Sequence, residues 1–350
     1  MPLMTLATRL KYLAGVALFA VACQGVHAEE SIDEGERRAQ HAGAELIGKP
    51  APAAVLQTID GERIDLAQLY GKKPVYLKFW ATWCVPCRQQ MPGFEEVQQT
   101  LGDDIQVIAV NTGFSDDIES VRAYRQALGL SMPIVVDDGS LAAAFNLRVT
   151  PQHVLIGRDG RIAHVGHLDD AQLHAALQRV LDVGTATVAA SPNEQADAGR
   201  RFNVGDQVEG VQLAMLEGAA VSLGQASGKP RALVFFAPWC ESYLAESRPQ
   251  TSQACLRVRQ DVDRLAAQSG VEWFGISSGL WTSKQDLQDY KASTNTQLPL
   301  ALDEGDALFR AFGVRDIPSV VLLDAQGRVA QVLKPQDTHL AEALDSISAR

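Results

Sequence analysis

Two cysteines set two residues apart, Cys84 and Cys87 in Trp83-Cys84-Val85-Pro86-Cys87, are the side chains best suited to chemistry in this 350-residue chain. The apolar run before them reads as a strand and the stretch near 86–101 as a helix, so Cys84 falls at a helix's first turn. There it meets unpaired backbone N–H groups and the positive end of the helix dipole, which favour its thiolate. Cys84 is the expected nucleophile, and Cys87 is placed to resolve a mixed disulfide formed on it. Pro86 suits the first turn, where its missing N–H leaves nothing unpaired. A purely structural bridge closing so small a loop would contribute little stability. A zinc site would need a second ligand pair, and none follows at suitable spacing. His164 and His167 stand near a strand end without a carboxylate or cysteine pattern, so neither a metal nor another cofactor is expected.

The elements that must position this pair follow from the hydrophobic pattern. Strand-like runs at 75–79, 105–110, 134–136, 153–156 and 162–165 alternate with helical stretches near 86–101, 116–128 and 169–182. That alternation predicts an α/β fold, a sheet covered by helices. The chain then repeats itself. Residues 74–84, ending Phe79-Trp80-Ala81-Thr82-Trp83-Cys84, are answered by 230–240, ending Phe235-Phe236-Ala237-Pro238-Trp239-Cys240. Val149-Thr150-Pro151 is answered by Asp316-Ile317-Pro318. The predicted boundaries are a signal peptide over 1–28, a linker over 29–44, a first domain over 45–183, a linker over 184–200, and a second domain over 201–350.

The copies are not equivalent. Tyr243 stands in the second where Cys87 stands in the first, so resolution within a CxxC is lost. Ala237 occupies the place of the hydroxyl residue three before a peroxidatic cysteine, which argues against peroxidase chemistry. Between Cys240 and Ile276, the counterpart of Val110, the second copy has gained about ten residues, in a segment that includes or adjoins Cys255. On an unbroken helix Cys240 and Cys255 would lie about 22 Å apart, so a disulfide between them requires the helix to break, and Pro249 offers the means. An even cysteine count in an exported chain points to that bridge, with free thiols as the alternative and a structural role preferred to a redox one.

Trp83-Cys84-Val85-Pro86-Cys87, Pro92 in the following helix and Thr150-Pro151 before a strand together resemble the thioredoxin fold. Gly48-Lys49-Pro50-Ala51-Pro52, the Asp60-Gly61 turn and Phe79-Trp80-Ala81-Thr82-Trp83-Cys84 resemble its TlpA/ResA branch. The resemblance implies two tandem thioredoxin-like folds, the second degenerate. It implies that Thr150-Pro151 is a cis-proline loop where substrate backbone pairs, beside Trp83. Two departures leave proton handling open: Lys78 stands where many thioredoxins carry a buried acid, and Phe114 where the ResA-like branch often has Glu. Lys78 would favour the thiolate if close to it; the alternative is that it points out of the strand end.

Arg9 and Lys11, the apolar stretch 12–22 and Val26-His27-Ala28 form a secretory signal too short to span a bilayer. Cleavage after Ala28 is preferred to lipoprotein processing at Cys23. Export to the periplasm would place the thiols where disulfides persist. The formal charge of −11, with no basic run, excludes nucleic acid as an expected partner. The expected activity is reduction of disulfides in exported proteins, with a membrane thiol electron donor restoring the dithiol. Immature cytochromes c, other cysteine proteins and a copper-site assembly factor are all open as substrates, the first by family resemblance alone. The rival reading is a binding protein, a chaperone or Cu(I)-handling adaptor with the thiolates as ligands.

Overall fold

The computed structural model describes residues 33–182, 200–267 and 270–348. The signal peptide and all of the 184–200 linker except Arg200 lie outside the described residues. The first domain runs α1 (Glu34–Gly43), β1 (Val55–Gln57), β2 (Arg63–Asp65), α2 (Leu66–Leu69), β3 (Val75–Trp80), α3 (Val85–Leu101), β4 (Gln106–Asn111), α4 (Ile118–Leu128), β5 (Ile134–Val136), α5 (Ser140–Ala144), β6 (Gln152–Ile156), β7 (Ile162–Gly166) and α6 (Ala171–Asp182). The second runs β8 (Gln212–Leu213), β9 (Val221–Ser222), β10 (Arg231–Phe236), α7 (Cys240–Ser247), α8 (Pro249–Ala266), β11 (Glu272–Ser278), α9 (Lys284–Thr294), β12 (Leu300–Asp303), α10 (Ala307–Ala311), β13 (Ser319–Leu323), β14 (Val329–Leu333) and α11 (Leu340–Ser348).

Both sheets have five strands with one topology, β5-β4-β3-β6-β7 and β12-β11-β10-β13-β14. In each the central strand pairs in parallel on one side and antiparallel on the other. The internal repeat is thus a repeat of pairing: Phe79 lies opposite Val110, and Phe235 opposite Ile276. β3 is buried along its whole length because helices cover both of its faces. Val75, Leu77 and Phe79 pack on one side with Leu66 and Phe145. Tyr76 and Trp80 pack on the other, beneath Cys87, Met91 and Phe94 of α3.

One predicted linker is not a linker. Within 29–44 the chain forms α1, started by Asp33, whose carboxylate accepts the Glu36 N–H at 3.1 Å. Its packing face is built from small residues, Ala39, Ala42 and Gly43, so no large apolar pattern announces it. At Gly43 a β-carbon would come within 2.5 Å of Val165 Cβ, and glycine lets α1 lie directly on β7.

The extra residues of the second domain have a clear use. Where α3 is one helix, its counterpart is two, broken at Arg248 (φ −142°, ψ 64°), with Pro249 opening α8. The break lets α8 fold back along α7, and Cys240 and Cys255 are joined by a disulfide with their Cα atoms 6.3 Å apart. Arg259 of α8 pairs with Glu241 of α7 at 2.7 Å. A bridge enclosing this short loop removes unfolded-state freedom worth about 3 kcal/mol. The double variant Cys240→Ser/Cys255→Ser is therefore expected to lower the stability of the second domain by about that amount, read as an earlier urea midpoint of its transition; an unchanged midpoint would count against a stapling role.

Candidate active site

β3 delivers the chain to the sheet edge at Trp80, and α3 starts immediately after Cys84. Cys84 and Cys87 are joined as a disulfide, and the Cys87 N–H donates to Cys84 Sγ at 3.2 Å. The first-turn N–H groups thus point at the sulfur that would carry the thiolate once the bond is reduced. Thr150-Pro151, a cis peptide, leads into β6, the neighbour of β3. The Pro151 carbonyl accepts the His167 Nδ1–H at 2.6 Å, and the backbone N–H groups of His167 and Leu168 donate to Glu36 of α1 at 2.6 and 2.9 Å. α1 and His167 therefore brace the proline loop from behind.

The site is closed. Cys84 is 1% exposed, Cys87 and Thr150 are 0%, and Trp83 is 3%. Side chains of the second domain lie on both neighbours of Cys84. Trp239 stacks on Trp83 with ring centroids 5.3 Å apart, and Tyr243 meets Trp83 edge-on at 6.3 Å. The Tyr243 hydroxyl accepts the Val85 N–H at 3.0 Å. The residue that replaced the second domain's resolving cysteine thus occupies a donor at the N-terminus of the first domain's active helix.

This contact is one part of a reciprocal arrangement. Ser115 N–H donates to the Arg315 carbonyl at 2.7 Å, and Trp281 N–H donates to the Arg148 carbonyl at 2.8 Å. Arg148 and Arg315 each stand three residues before a cis-proline, and Ser115 and Trp281 share the left-handed backbone (φ 54° and 55°). Likewise Trp83 Nε1 donates to the Phe114 carbonyl and Trp239 Nε1 to the Leu280 carbonyl, at 2.7 and 2.9 Å. The two domains face each other through equivalent loops, each active end against the other. The sequence carried the signal for this, since Trp83/Trp239 and Arg148/Arg315 recur at matched positions, but repetition by itself reads as a shared fold.

The arrangement departs from symmetry at Asp116. Its fully buried carboxylate accepts from Thr82 N–H at 2.7 Å, Asn111 Nδ2 at 2.8 Å and, across the interface, Arg248 at 2.9 Å. Arg248 also donates to the Thr82 hydroxyl. Burial pushes the Asp116 carboxyl up from its ordinary value, and these donors hold it down. Arg248 is the residue at the helix break, so the inserted segment builds both the Cys240–Cys255 staple and this ion pair.

Lys78 does not point out of the strand end. It is fully buried on the α3-facing side of β3, with Nζ 5.4 Å from the centre of the Phe94 ring. Phe114 packs against Trp239 and Phe309 of the second domain, an interface role for the aromatic that stands in place of an acid. Glu241 pairs with Arg259, and His164, named above as lacking a metal pattern, is partly buried on β7.

Residues 47–165 match the model of the AhpC/TSA family, and 203–347 match that of Redoxin. The thioredoxin-like protein YneN of Bacillus subtilis is 37% identical over 133 residues, covering 37% of this chain and 78% of that protein. The thiol-disulfide oxidoreductase ResA of B. subtilis is 32% identical over 139 residues, covering 38% of this chain and 76% of that protein. ResA of Halalkalibacterium halodurans is 32% identical over 137 residues, again 38% of this chain and 76% of its own. With a paired CxxC at a helix start, a cis-proline on the adjacent strand and relatives matched over three-quarters of their length, the chain belongs to the ResA-like thiol–disulfide oxidoreductases of the thioredoxin superfamily.

Proposed function

We propose that this oxidoreductase reduces disulfides of exported proteins, using Cys84 as nucleophile and Cys87 as the resolving thiol, and that its second domain is a cover rather than a second catalyst. The observation that carries the reading is the Cys84–Cys87 bond at the start of α3, with the Cys87 N–H on Cys84 Sγ. In the reduced protein Cys84 attacks a substrate sulfur, one substrate thiol leaves, and Cys87 displaces the second by closing the bond to Cys84. Trp83, Thr150 and Pro151 are the proposed substrate-binding surface, an extended peptide pairing beside the proline loop. All three are buried, and Trp83 lies beneath Trp239 and Tyr243 of the second domain, so binding at Trp83 follows separation of the two faces.

The reductive direction and export are supported by the Val85-Pro86 dipeptide between the cysteines, by the charged and apolar pattern of residues 9–28, and by a cysteine usage suited to an oxidising compartment. A membrane thiol donor would restore the dithiol there, because the compartment does not. The Cys240–Cys255 bond is proposed as structural: Cys240 is fully buried, its neighbour Cys255 nearly so, and Tyr243 holds the position a resolving cysteine would need.

Wild-type protein supplied with a dithiol donor is expected to reduce insulin, and Cys84→Ser to be inert in the same turbidity assay; an inert wild type that retains Cu(I) stoichiometrically would support the binding-protein alternative instead. Cys87→Ser is expected to accumulate mixed disulfides with its substrates, recoverable on non-reducing gels and identified by mass spectrometry. The aromatic pairs of Trp83 with Trp239 and Tyr243 are worth about 0.5–1.5 kcal/mol each beyond area burial. Trp239→Ala/Tyr243→Ala should therefore speed alkylation of reduced Cys84 by about tenfold or more, and an unchanged rate would remove the covering role.

A further inference from the structure

A carboxylate beside the cysteine loop has its cation in the opposite domain. Asp116 lies in the connection between β4 and α4, which runs against the entry to the active helix. Trp83 Nε1 donates to the Phe114 carbonyl of this connection, and Thr82 donates to Asp116 from its N–H at 2.7 Å and from its hydroxyl. Asn111 Nδ2 is a third donor at 2.8 Å. All three donors are uncharged. Among the described residues the one ion-pair partner of Asp116 is Arg248, with Nη2 2.9 Å from Oδ1. The cations of the first domain's own helices are engaged elsewhere: Arg88 of α3 lies over the Tyr124 ring, and Arg122 and Arg125 of α4 bond the Ile59 carbonyl and Asp60. Arg248 is equally one-sided. Among the described residues its guanidinium bonds only to Asp116 and the Thr82 hydroxyl, both across the interface. The Asp116 side chain is fully buried whereas that of Arg248 is 32% exposed, so the arginine reaches in from the rim.

Separation of the two faces removes Arg248 together with Trp239 and Tyr243. Asp116 is then left next to the uncovered Trp83 with neutral donors alone. Taking away one partner of a buried pair leaves an uncompensated charge, so opening costs least when another cation enters the vacated place. A client's guanidinium or ammonium group would meet the acceptors that Arg248 uses, Asp116 Oδ1 and the Thr82 hydroxyl. The reach is short. Thr82 stands two residues before Cys84, at most about 7 Å along the backbone, and an extended client chain advances about 3.3 Å per residue. A basic side chain about one to three residues from the client's cysteine therefore meets Asp116 while Cys84 meets the sulfur.

On the reading of Cys84 as nucleophile and of the second domain as its cover, we propose that Asp116 is a specificity-determining residue. It selects client proteins that carry lysine or arginine close to the disulfide, and Arg248 holds the place of that client side chain while the domains are closed. A basic client exchanges one ion pair for another as it displaces the cover. A neutral client breaks the pair without replacing it, and an acidic one adds repulsion. The preference is for position and not for overall charge. The net charge of −11 attracts any basic client at long range, whereas Asp116 reads where on the client the charge lies.

The test uses the full-length reduced protein and two peptides of identical composition, each with one cysteine held as its mixed disulfide with 5-thio-2-nitrobenzoate. One peptide has arginine beside the cysteine and glutamate at its far end; the other has the two exchanged. Cys84 attacks the peptide sulfur and the thionitrobenzoate leaves; Cys87 then frees the peptide as its thiol and closes the bond to Cys84. Chromophore release is followed by stopped flow, and each rate is divided by the same peptide's rate with dithiothreitol, which removes differences in intrinsic reactivity. A charged hydrogen bond of ordinary strength makes wild type about tenfold faster with the arginine-adjacent peptide. In Asp116→Asn this ratio is expected to fall to about one. In Arg248→Ala the ratio is expected to persist while both rates rise, because the place is vacant and closure is weaker. A wild-type ratio near one overturns the proposal, and that outcome stands whether or not Asp116→Asn folds. A ratio that survives in Asp116→Asn, or that disappears in Arg248→Ala, overturns it as well. Wild type that releases no chromophore from either peptide would instead sink the oxidoreductase reading.

Discussion

The structure depends on a reciprocal pair of main-chain hydrogen bonds, Ser115 to Arg315 and Trp281 to Arg148. Each donor belongs to a loop after the second strand of its sheet's parallel pair, and each acceptor lies just ahead of a cis-proline loop. Satisfying them requires the two domains to meet at the ends where thioredoxin folds do their chemistry. The Trp83–Trp239 stack fills the space between, and Arg248 closes one side on Asp116. A self-complementary surface of this kind is what two copies of one fold present to each other about a two-fold axis. Here both copies are in one chain.

Two asymmetries between the copies shape the interface. Tyr243 stands in the second domain where Cys87 stands in the first, and its hydroxyl accepts the Val85 N–H of the opposite helix. The single helix after the first cysteine has become two, and the break supplies both the Cys240–Cys255 staple and the cross-domain arginine. Tyr243 and the helix break together give the second domain a surface matched to the first.

Much of this was legible in the sequence. β3 and β10 announce themselves as unbroken apolar runs bounded by a turn residue, and the strands and main helices of the first sheet fall within one or two residues of the expected limits. The cysteine pair follows from its spacing and the helix break from the demands of Pro249, whereas the cis-proline loop at Thr150-Pro151 was legible through the family resemblance. What the sequence hid has physical causes. α1 packs through Ala and Gly, which carry little hydrophobic signal. The facing of the domains depends on backbone groups of Ser115, Arg148, Trp281 and Arg315, and a carbonyl's partner is not encoded in its side chain. Lys78 had two open readings because strand alternation gives a face but not the depth of cover above it.

On the proposed reading, the closed arrangement of Trp239 and Tyr243 over Trp83 and Val85 makes the second domain a tethered competitor for every client. A client's apparent affinity is its intrinsic affinity scaled by the fraction of molecules standing open. Were closure favoured by about 2.7 kcal/mol, that fraction would be near one in a hundred and all apparent affinities would weaken by about a hundredfold. Only clients that gain enough from the exposed groove would be turned over at ordinary concentrations, so on the proposed reading discrimination between substrates arises in part from the second domain.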